Sequence, residues 1–164
     1  MSEFTLRRAV DDDTEEIFRL CLELAACSDE VEALKTTPET LRRDRKYYEC
    51  FVAEESSASD SEPKPLIGYA LYSYTYSSWN GRSAFLNDIY VSPNHRGKGI
   101  GSALLKKVAQ DVVENGCILM EWCVLEYNID AIEFYKSKGA FDLTEADRIH
   151  LYRLPNSSLK QLAK

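Results

Sequence analysis

The chain has 164 residues, of which 45% are hydrophobic, 11% aromatic and 29% charged. A chain of this length typically forms about one domain, and folding removes roughly 70% of the surface that the unfolded chain exposes. The composition excludes a disordered or collagen-like chain. Lys and Arg number 20 against 27 Asp and Glu, which gives a net charge of −7. This charge disfavours nucleic-acid binding and favours a cationic small-molecule partner.

Cysteine and histidine usage argues against a metal site. The five cysteines include no Cys-x-x-Cys pair, and the chain has two histidines. We expect each cysteine to be a small buried hydrophobe. No basic region followed by an apolar segment opens the chain, and no stretch of about 18 apolar residues occurs in it. We therefore expect a cytoplasmic protein with no membrane association. The cysteines are Cys21, Cys27, Cys50, Cys117 and Cys123.

The first half of the chain predicts one strand, two helices and then three strands. A strand over residues 4–7 precedes a helix that begins in the acidic run 11–16, where carboxylates favour the helix dipole. Apolar residues at helical spacing predict that one face of this helix packs on a sheet. Pro38 opens a short second helix that extends to about Arg45. The apolar face consists of Ile17, Leu20, Cys21 and Leu24, and the strands are expected at 49–54, 66–76 and 85–91.

The strand region also contains a polar segment between two strands and a row of tyrosines on one strand face. Residues 55–65 are rich in Ser, Asp, Glu, Lys and Pro, which predicts a flexible hairpin loop. Tyr72, Tyr74 and Tyr76 share one face of their strand by period-two alternation. We interpret them as cross-strand packing, with a pocket-lining role as the alternative. Asn80-Gly81 indicates the next turn.

The second half predicts a helix, a strand, a helix and a strand. The helix begins at about residue 100 and ends near 115–116, and a central strand is expected at 118–125. A helix over about 128–138 is closed by Gly139 in a left-handed cap. A last strand is expected at 149–154, followed by a polar tail at 156–164. The order β-α-α-β-β-β-α-β-α-β predicts one mixed α/β domain over residues 1–164, with a central sheet flanked by helices.

Three glycines at alternate positions, Gly97, Gly99 and Gly101, lie directly before the third helix. Glycine allows backbone N–H groups to approach an anion, and a helix N-terminus adds partial positive charge. Arg96 and Lys98 contribute full charges, so the segment predicts a phosphate-binding turn. Because Gly101 is followed by Ser102 without an intervening Lys, the spacing excludes a Walker A loop, and it also lacks the third glycine of a dinucleotide fingerprint. A tight turn without a ligand is the alternative.

The pattern Arg-x-x-Gly-x-Gly between an apolar strand and a helix resembles the pyrophosphate loop of the GCN5-related N-acetyltransferases (GNAT), which use acetyl-CoA. Residues 128–140 resemble the last helix of that family, with its Asn, its Tyr and its closing Gly. Nearly the whole chain resembles the diamine acetyltransferases, the spermidine/spermine and thialysine N-acetyltransferases. Residues 77–82 and 142–146 look closer to the thialysine branch. The other matching segments are 4–10, 19–20, 67–69, 76–79 with Gly81, 88–91 and 141–145.

The resemblance implies a GNAT fold and direct attack of a primary amine on acetyl-CoA, with a polyamine-like or lysine-like substrate and no metal. It implies that Tyr135 contacts the cofactor and is the general acid, and a phenol with a pKa of ~10 keeps the proton that the leaving thiolate needs. It places the thioester carbonyl of the cofactor on a strand, its pyrophosphate on the glycine turn and its arm beside the last helix. The implied cofactor-binding residues are Ile89, Tyr90, Val91, Arg96, Gly97, Lys98, Gly99, Ile100, Gly101, Ser102, Asn128, Ala131 and Tyr135.

The chain departs from the family at its expected substrate site. Where the family has a proton-accepting Glu, this chain has Asn87, which cannot accept a proton. Asp88 matches a family Asp, but regular alternation predicts that it points to the opposite face, and water or Asp147 are the alternatives. A family Tyr-Glu pair is Cys27-Ser28 here. These four substrate-site positions, Cys27, Ser28, Asn87 and Asp88, widen the expected substrate class to small primary amines, including thialysine.

Two other functions stay open from the sequence. A protein or peptide N-acetyltransferase shares the cofactor loop, and a non-catalytic acetyl-CoA-binding module is suggested by Asn87. The resemblance also implies a homodimer, in which Ile149, Leu151 and Leu154 form either an interface or core.

Overall fold

The computed structural model describes residues 4–56, 64–149 and 151–163. The chain divides into a first compact unit that ends at Cys123 and a second that starts at Val124. The first unit contains β1 (Phe4–Arg8), α1 (Thr14–Cys27), α2 (Pro38–Arg43), β2 (Glu49–Glu55), β3 (Leu66–Ser77), β4 (Gly81–Val91), α3 (Ile100–Glu114) and β5 (Met120–Glu121). The second contains α4 (Ile129–Lys136), α5 (Leu143–Asp147) and α6 (Asn156–Leu162).

The five strands of the first unit form one sheet in the order β1-β2-β3-β4-β5. Strands β1 to β4 pair antiparallel, whereas β5 pairs parallel to β4. The sheet is therefore mixed, and the predicted mixed α/β architecture is confirmed. Glu55 donates its backbone N–H to Pro65 O at 3.3 Å, which closes the β2–β3 hairpin. Residues 57–63 of the expected flexible loop lie outside the described residues.

Helices α1 and α3 pack on opposite faces of this sheet. The predicted apolar face of α1 is confirmed, since Ile17, Leu20 and Cys21 are buried in one core cluster and Leu24 packs against it. The same cluster contains Tyr69 and Leu71 of β3 and Tyr90 of β4. On the other face, α3 buries Leu104, Leu105, Val108 and Val112. Alternation along the strands thus separates two cores, one under each helix.

The expected tyrosine face on β3 packs against α3. The rings of Phe51 and Tyr72 stack with centroids 6.1 Å apart, and Tyr72 meets Tyr74 edge to face at 6.0 Å. Both hydroxyls donate to Oδ2 of Asp111 on α3 at 2.5 Å. Arg8 of β1 is ion-paired with the other oxygen of the same carboxylate. Cross-strand packing is therefore confirmed for Tyr72, and Asp111 is an anchor that the sequence did not reveal.

The strand predictions near the C-terminus were wrong. The strand expected at 118–125 is reduced to β5, which pairs with Ala84 and Phe85 of β4 and follows a hydrogen bond from Ile118 N–H to Arg82 O at 3.0 Å. The strand expected at 149–154 is absent from its described residues, and His150 lies outside them. An apolar alternation becomes a strand only where a neighbouring strand accepts its hydrogen bonds, and the described residues after 123 contain none. Helix α5 was not predicted, and α6 occupies most of the expected polar tail.

Replacing Asp111 is expected to destabilise the first unit in a pH-dependent way. Burial acts to raise the pKa of Asp111, but the hydrogen bonds from Tyr72 and Tyr74 and the charge of Arg8 outweigh it and hold the pKa below its usual value. Such a group stabilises the fold above its unfolded pKa, near 3.8, and this contribution is lost as the pH falls through the folded pKa. We expect Asp111→Asn to lower stability by roughly 2 kcal/mol at neutral pH.

Thermal unfolding of the wild type and Asp111→Asn at several pH values tests this expectation. The difference in Tm between the wild type and Asp111→Asn should be largest at neutral pH and should become smaller below the unfolded pKa of Asp111. The exposed Asp12 provides a matched control, Asp12→Asn, which should leave Tm unchanged. A gap that is constant with pH would contradict the assigned role of the carboxylate.

Candidate active site

The glycine turn connects the end of β4 to the start of α3. Gly97 has φ +76° and Gly99 has φ +81°, which is a left-handed conformation that residues with a Cβ rarely adopt. The first helical hydrogen bond runs from Ala103 N–H to Gly99 O at 3.0 Å. The N–H groups of residues 100–102 precede that bond and have no acceptor within the helix. No atom lies within 4 Å of a Cβ built at either glycine, so the turn leaves open space at an anion-binding helix end.

The two cations of the turn have different surroundings. Arg96 donates from Nε to Val91 O at 2.9 Å, and its guanidinium lies over the Tyr90 ring at 5.5 Å. Arg96 therefore ties the turn to the end of β4. Lys98 lines a cavity of about 230 Å³ together with His95 and Ile100. The structure thus holds Arg96 at the strand end and places Lys98 at an opening beside the helix N-terminus.

The second half of β4 has one edge without a strand partner in the described part of the chain. Ser92 N–H donates to Ile67 O of β3 at 2.9 Å. Because N–H groups of alternate residues point to the same edge, Tyr90 N–H also faces β3, while Ile89 N–H and Val91 N–H face the other edge. Strand β5 pairs with β4 only before this point. Two of the three expected carbonyl-binding positions therefore direct their donors to an open edge, and Tyr90 does not.

A β-bulge at Asn87 overturns the expected orientation of Asp88. Leu71 pairs with Asp88 and Tyr72 pairs with Leu86, so Asn87 is the extra residue. Asp88 consequently shares the face of Leu71, which is the α1 face. Asn87 is on that face too, because its Oδ1 accepts a hydrogen bond at 3.0 Å from Ser73 Oγ, two residues along β3 from Leu71. The expectation that Asp88 points away from Asn87 was therefore wrong.

The end of α1 lies beside the glycine turn. Cys27 Sγ is 3.9 Å from Tyr90 Oη and 3.9 Å from Arg96 Nη2. Ser28 donates from Oγ to Leu24 O at 3.5 Å. The structure thus brings the expected substrate residue Cys27 together with two expected cofactor residues. A groove of about 740 Å³ adjoins them, and its walls include Glu16, Glu23 and Ser92.

Glu23 of α1 also lies at this end of β4, and its role there was not predicted from the sequence. Its Oε2 accepts hydrogen bonds from Ser92 Oγ at 2.8 Å and from Tyr90 Oη at 3.2 Å, and Arg19 is ion-paired with Oε1. Burial, the interaction with Cys27 and the negative charge of Glu23 raise the pKa of Tyr90, which stays protonated and donates. Glu23 therefore fixes the end of β4 against α1. Its signal in the sequence is faint, because it lies next to the apolar stripe like any solvent-exposed helix residue.

The remaining expected site residues belong to the second unit. Asn128 caps α4, because its Oδ1 accepts a hydrogen bond from Ala131 N–H at 3.2 Å. Tyr135 lies on α4 with its ring edge to face against Phe134 at 5.3 Å. Gly139 has φ +91° after the helix end, which confirms the predicted left-handed cap. The hydrogen bond that joins Ala131 to Asn128 was not predicted from the sequence.

Within residues 4–56, 64–149 and 151–163, no group of three or more His, Cys, Asp or Glu side chains is arranged to hold a metal ion. No helix of the described residues is long and apolar enough to cross a membrane. All five cysteines carry free thiols, of which Cys27 and Cys123 are exposed, so the expectation that every cysteine is buried was wrong for these two.

Comparison with known proteins decides the family. The family model described as "Acetyltransferase (GNAT) family" matches residues 12–140. The chain belongs to the acetyltransferase (GNAT) family. It is similar to the thialysine N-epsilon-acetyltransferase of Bos taurus, with 40% identity over 99% of each chain. It is also 35% identical to the spermidine/spermine N(1)-acetyltransferase-like protein 1 of Homo sapiens, over 99% of this chain and 24% of that protein.

A solved structure supports the fold of this GNAT acetyltransferase. An integron cassette protein from the mobile metagenome of V. cholerae matches with a TM-score of 0.76 at 23% identity, over 100% of this chain and 99% of that one. The expected GNAT fold and the expected activity, an acetyl-CoA-dependent N-acetyltransferase, are confirmed by these comparisons. The residues at the glycine turn also fit the cofactor, since the left-handed glycines and the helix N-terminus suit a pyrophosphate.

Substitution of the glycines separates backbone strain from helix propensity. Gly99→Ala forces a Cβ into the left-handed region, so we expect it to lower stability by about 1–2 kcal/mol and to weaken binding of coenzyme A about tenfold. Gly101 lies inside α3, where an added Cβ meets Val91 Cγ2 at an ordinary 3.9 Å. Gly101→Ala is the matched control and should leave Tm unchanged or raise it. Thermal unfolding and calorimetric titration with coenzyme A measure both effects, and equal Tm losses in the two variants would refute the assignment.

Proposed function

We propose that this enzyme transfers the acetyl group of acetyl-CoA to the terminal primary amine of a small lysine-like substrate such as thialysine. The observation that carries the proposal is the adjacency of three parts of the first unit. The anion-binding turn, the open edge of β4 and the acidic end of α1 meet at Tyr90 and Arg96. The full-length similarity to a protein named thialysine N-epsilon-acetyltransferase supports the lysine-like substrate.

The turn and the strand edge divide the binding of the cosubstrate between them. Acetyl-CoA supplies an acetyl group that is activated as a thioester. We assign the pyrophosphate to residues 96–102, where the N–H groups at the start of α3 and Lys98 favour negative charge. The N–H groups of Ile89 and Val91 are assigned to the thioester carbonyl oxygen. Donors fixed in a strand stabilise the charge that grows on this oxygen during attack, because they need no reorganisation.

The acceptor amine enters from the α1 side in this proposal. At neutral pH only about one amine of pKa ~10.4 in a thousand is uncharged, so the site has to bind a cation and remove its proton. Three glutamates, Glu16, Glu23 and Glu55, line the groove beside Cys27 with one arginine, Arg19, which is ion-paired with Glu16 and Glu23. The lining carries more acids than bases, and the net charge of −7 also favours the approach of a cation. Cys27 and Ser28 present small side chains at the end of α1, which fits a short amine better than a long polycation.

We assign proton donation to Tyr135. The neutral amine forms the C–N bond with the carbonyl carbon, the C–S bond breaks, and the sulfur leaves as a thiolate that takes the phenolic proton of Tyr135. The nitrogen loses its second proton as the amide forms, and this proton restores the phenol through solvent. A phenol suits this step because it keeps its proton at neutral pH. Asn128, which caps the same helix, and Ala131, whose N–H donates to it, are assigned to the cofactor side of that helix. This assignment rests on the match of residues 128–140 to the last helix of the family.

The cellular setting is part of the same proposal. We propose a cytoplasmic homodimer, and the five free thiols are in keeping with a reducing compartment. Size-exclusion chromatography with light scattering measures the oligomeric state directly, and a mass of one chain at micromolar concentration would contradict the dimer.

Release of the coenzyme A thiol tests the proposed reaction. Thialysine, lysine, spermidine and a lysine-containing peptide are offered as acceptors between about pH 6 and pH 9, a range in which the uncharged fraction of the amine rises with pH. We expect turnover of thialysine and lysine above that of spermidine and of the peptide. Tyr135→Phe should lower kcat at least ~100-fold. Tyr152→Phe, at an exposed tyrosine of the second unit, is the matched control and should leave kcat unchanged.

Two outcomes would contradict this proposal. Turnover of the peptide alone would indicate a protein or peptide N-acetyltransferase. Binding of acetyl-CoA without turnover of any acceptor would indicate a non-catalytic binding module.

A further inference from the structure

The α1 face of β4 carries a carboxylate whose orientation is set by the bulge at Asn87. The bulge shifts the alternation by one residue, so that Asp88 and Tyr90 face α1 together. Asn87 points to the same side, where Ser73 donates to its amide oxygen at 3.0 Å. A side-chain amide can accept such a hydrogen bond, but it is too weak a base to take a proton from an ammonium group. Asp88 is the neighbouring group on that face that can.

The surroundings of Asp88 favour a carboxyl that takes up protons. Its titratable neighbours are Tyr69 from β3, Cys21 from α1 and Cys50 from β2. All three are neutral at pH 7, since burial raises the pKa of Cys21 to about 11 and raises those of Cys50 and Tyr69 well above their usual values. Burial also raises the pKa of Asp88 itself, and its polar contact with Tyr69 only partly opposes this.

Tyr69 provides a second, independent observation beside this carboxyl. Its ring and hydroxyl are fully buried, yet the hydroxyl has no hydrogen-bond partner that meets normal geometry among the described residues. Buried hydroxyls are almost always hydrogen-bonded, because leaving one unpaired costs about 1–3 kcal/mol. An unpaired hydroxyl next to a carboxyl is therefore poised to donate to it, or to a water between them, when the carboxyl is charged.

We propose that Asp88 is the proton acceptor of the acetyl transfer, assisted by the buried hydroxyl of Tyr69. This inference rests on the proposed function, since it names the group that removes the proton from the acceptor amine. The ammonium N–H bond breaks and its proton moves to a carboxylate oxygen of Asp88, directly or through one water. The freed electron pair on nitrogen then attacks the thioester carbon. The protonated carboxyl returns this proton to solvent before the next cycle, and the second proton of the nitrogen replaces the one that Tyr135 gives to the thiolate, so that protons balance without another reactant.

The position of Asp88 along β4 agrees with this role. Asp88 directly precedes Ile89, whose N–H faces the open edge that we assign to the thioester carbonyl. Residues two apart on one face of a strand are about 7 Å apart, so Asp88 is also one such step from Tyr90, which contacts the turn and Cys27. The groove whose wall includes Tyr90 therefore places an amine about one such step from the carboxyl, a distance that one bridging water spans.

The pH dependence of turnover by the full chain tests this proposal. For the wild type, log kcat with thialysine should rise with unit slope on its acidic limb, as a required base loses its proton. Asp88→Asn should lower kcat at least ~100-fold and remove that limb. Asn87→Glu in the Asp88→Asn background restores a carboxyl on the same face and should recover part of kcat and the limb. Asp12→Asn, at an exposed acid away from the site, is the matched control and should leave kcat unchanged.

Several results would overturn the role of Asp88 while leaving the proposed function intact. The first is an Asp88→Asn variant whose kcat equals that of the wild type and whose pH profile keeps its acidic limb. The second is a raised KM with unchanged kcat, which would make Asp88 a binding group for the cation. The third is loss of the acidic limb of the pH profile in Asp147→Asn and not in Asp88→Asn. If the wild type turns over no amine at all, the proposed function and this inference fail together.

A stability measurement confirms that the variant remains folded and checks the electrostatics without using activity. A carboxyl whose folded pKa is raised destabilises the folded state as the pH rises from the unfolded pKa, near 3.8, through the folded value. Wild-type Tm should therefore fall over that interval relative to the Tm of Asp88→Asn, and the variant should be the more stable protein at neutral pH. A lower Tm of Asp88→Asn at neutral pH would refute the assigned desolvation.

Discussion

The extra residue at Asn87 determines the orientation of everything that follows it on β4, because side chains and N–H groups alternate strictly along a strand. With the bulge, Asp88 and Tyr90 face α1 while Ile89 and Val91 face α3. A regular strand would instead turn Asp88 into the apolar core under α3 and direct Ile89 towards the acidic end of α1. The proposed base and the strand edge to which we assign the thioester carbonyl thus depend on one backbone irregularity, and Ser73 stabilises it through its hydrogen bond to Asn87.

Two carboxylates hold the helices on either side of this strand, and both accept hydrogen bonds from tyrosines. Glu23 connects α1 to Tyr90 at the end of β4, and Asp111 connects α3 to Tyr72 in the centre of β3. The glycine turn leaves β4 just beyond the first anchor and enters α3 three turns before the second. A turn with two left-handed residues keeps its shape only when its ends are fixed. The anchors therefore fix the ends of the turn to which we assign the pyrophosphate of the cofactor.

Much of the first unit was predictable from the sequence, because local sequence patterns specify its helices, strands and turns. The apolar spacing of α1, the glycines before α3 and the Asn80-Gly81 turn all led to the observed elements. The bulge was missed although it has a signal, since the apolar residues Leu86 and Ile89 are three apart where alternation requires two. The partnerships of Glu23 and Asp111 had no such signal, because a carboxylate beside an apolar stripe has the pattern of a solvated helix face. The strand expected at 149–154 failed for the opposite reason, as alternation cannot specify the neighbour with which a strand must pair.

Asn87 and Asp88 divide between them two requirements that conflict in a single side chain. The residue at the bulge has to keep its hydrogen bond to Ser73, and an amide oxygen accepts that bond at every pH, whereas a carboxyl changes its strength on protonation. The residue that accepts the substrate's proton has to change its charge in each cycle. Placing it one position later, against neutral groups, makes its ionised form less stable than in water and so makes it a better base. The same desolvation weakens the fold at neutral pH, a stability deficit that the apolar cluster under α1 offsets.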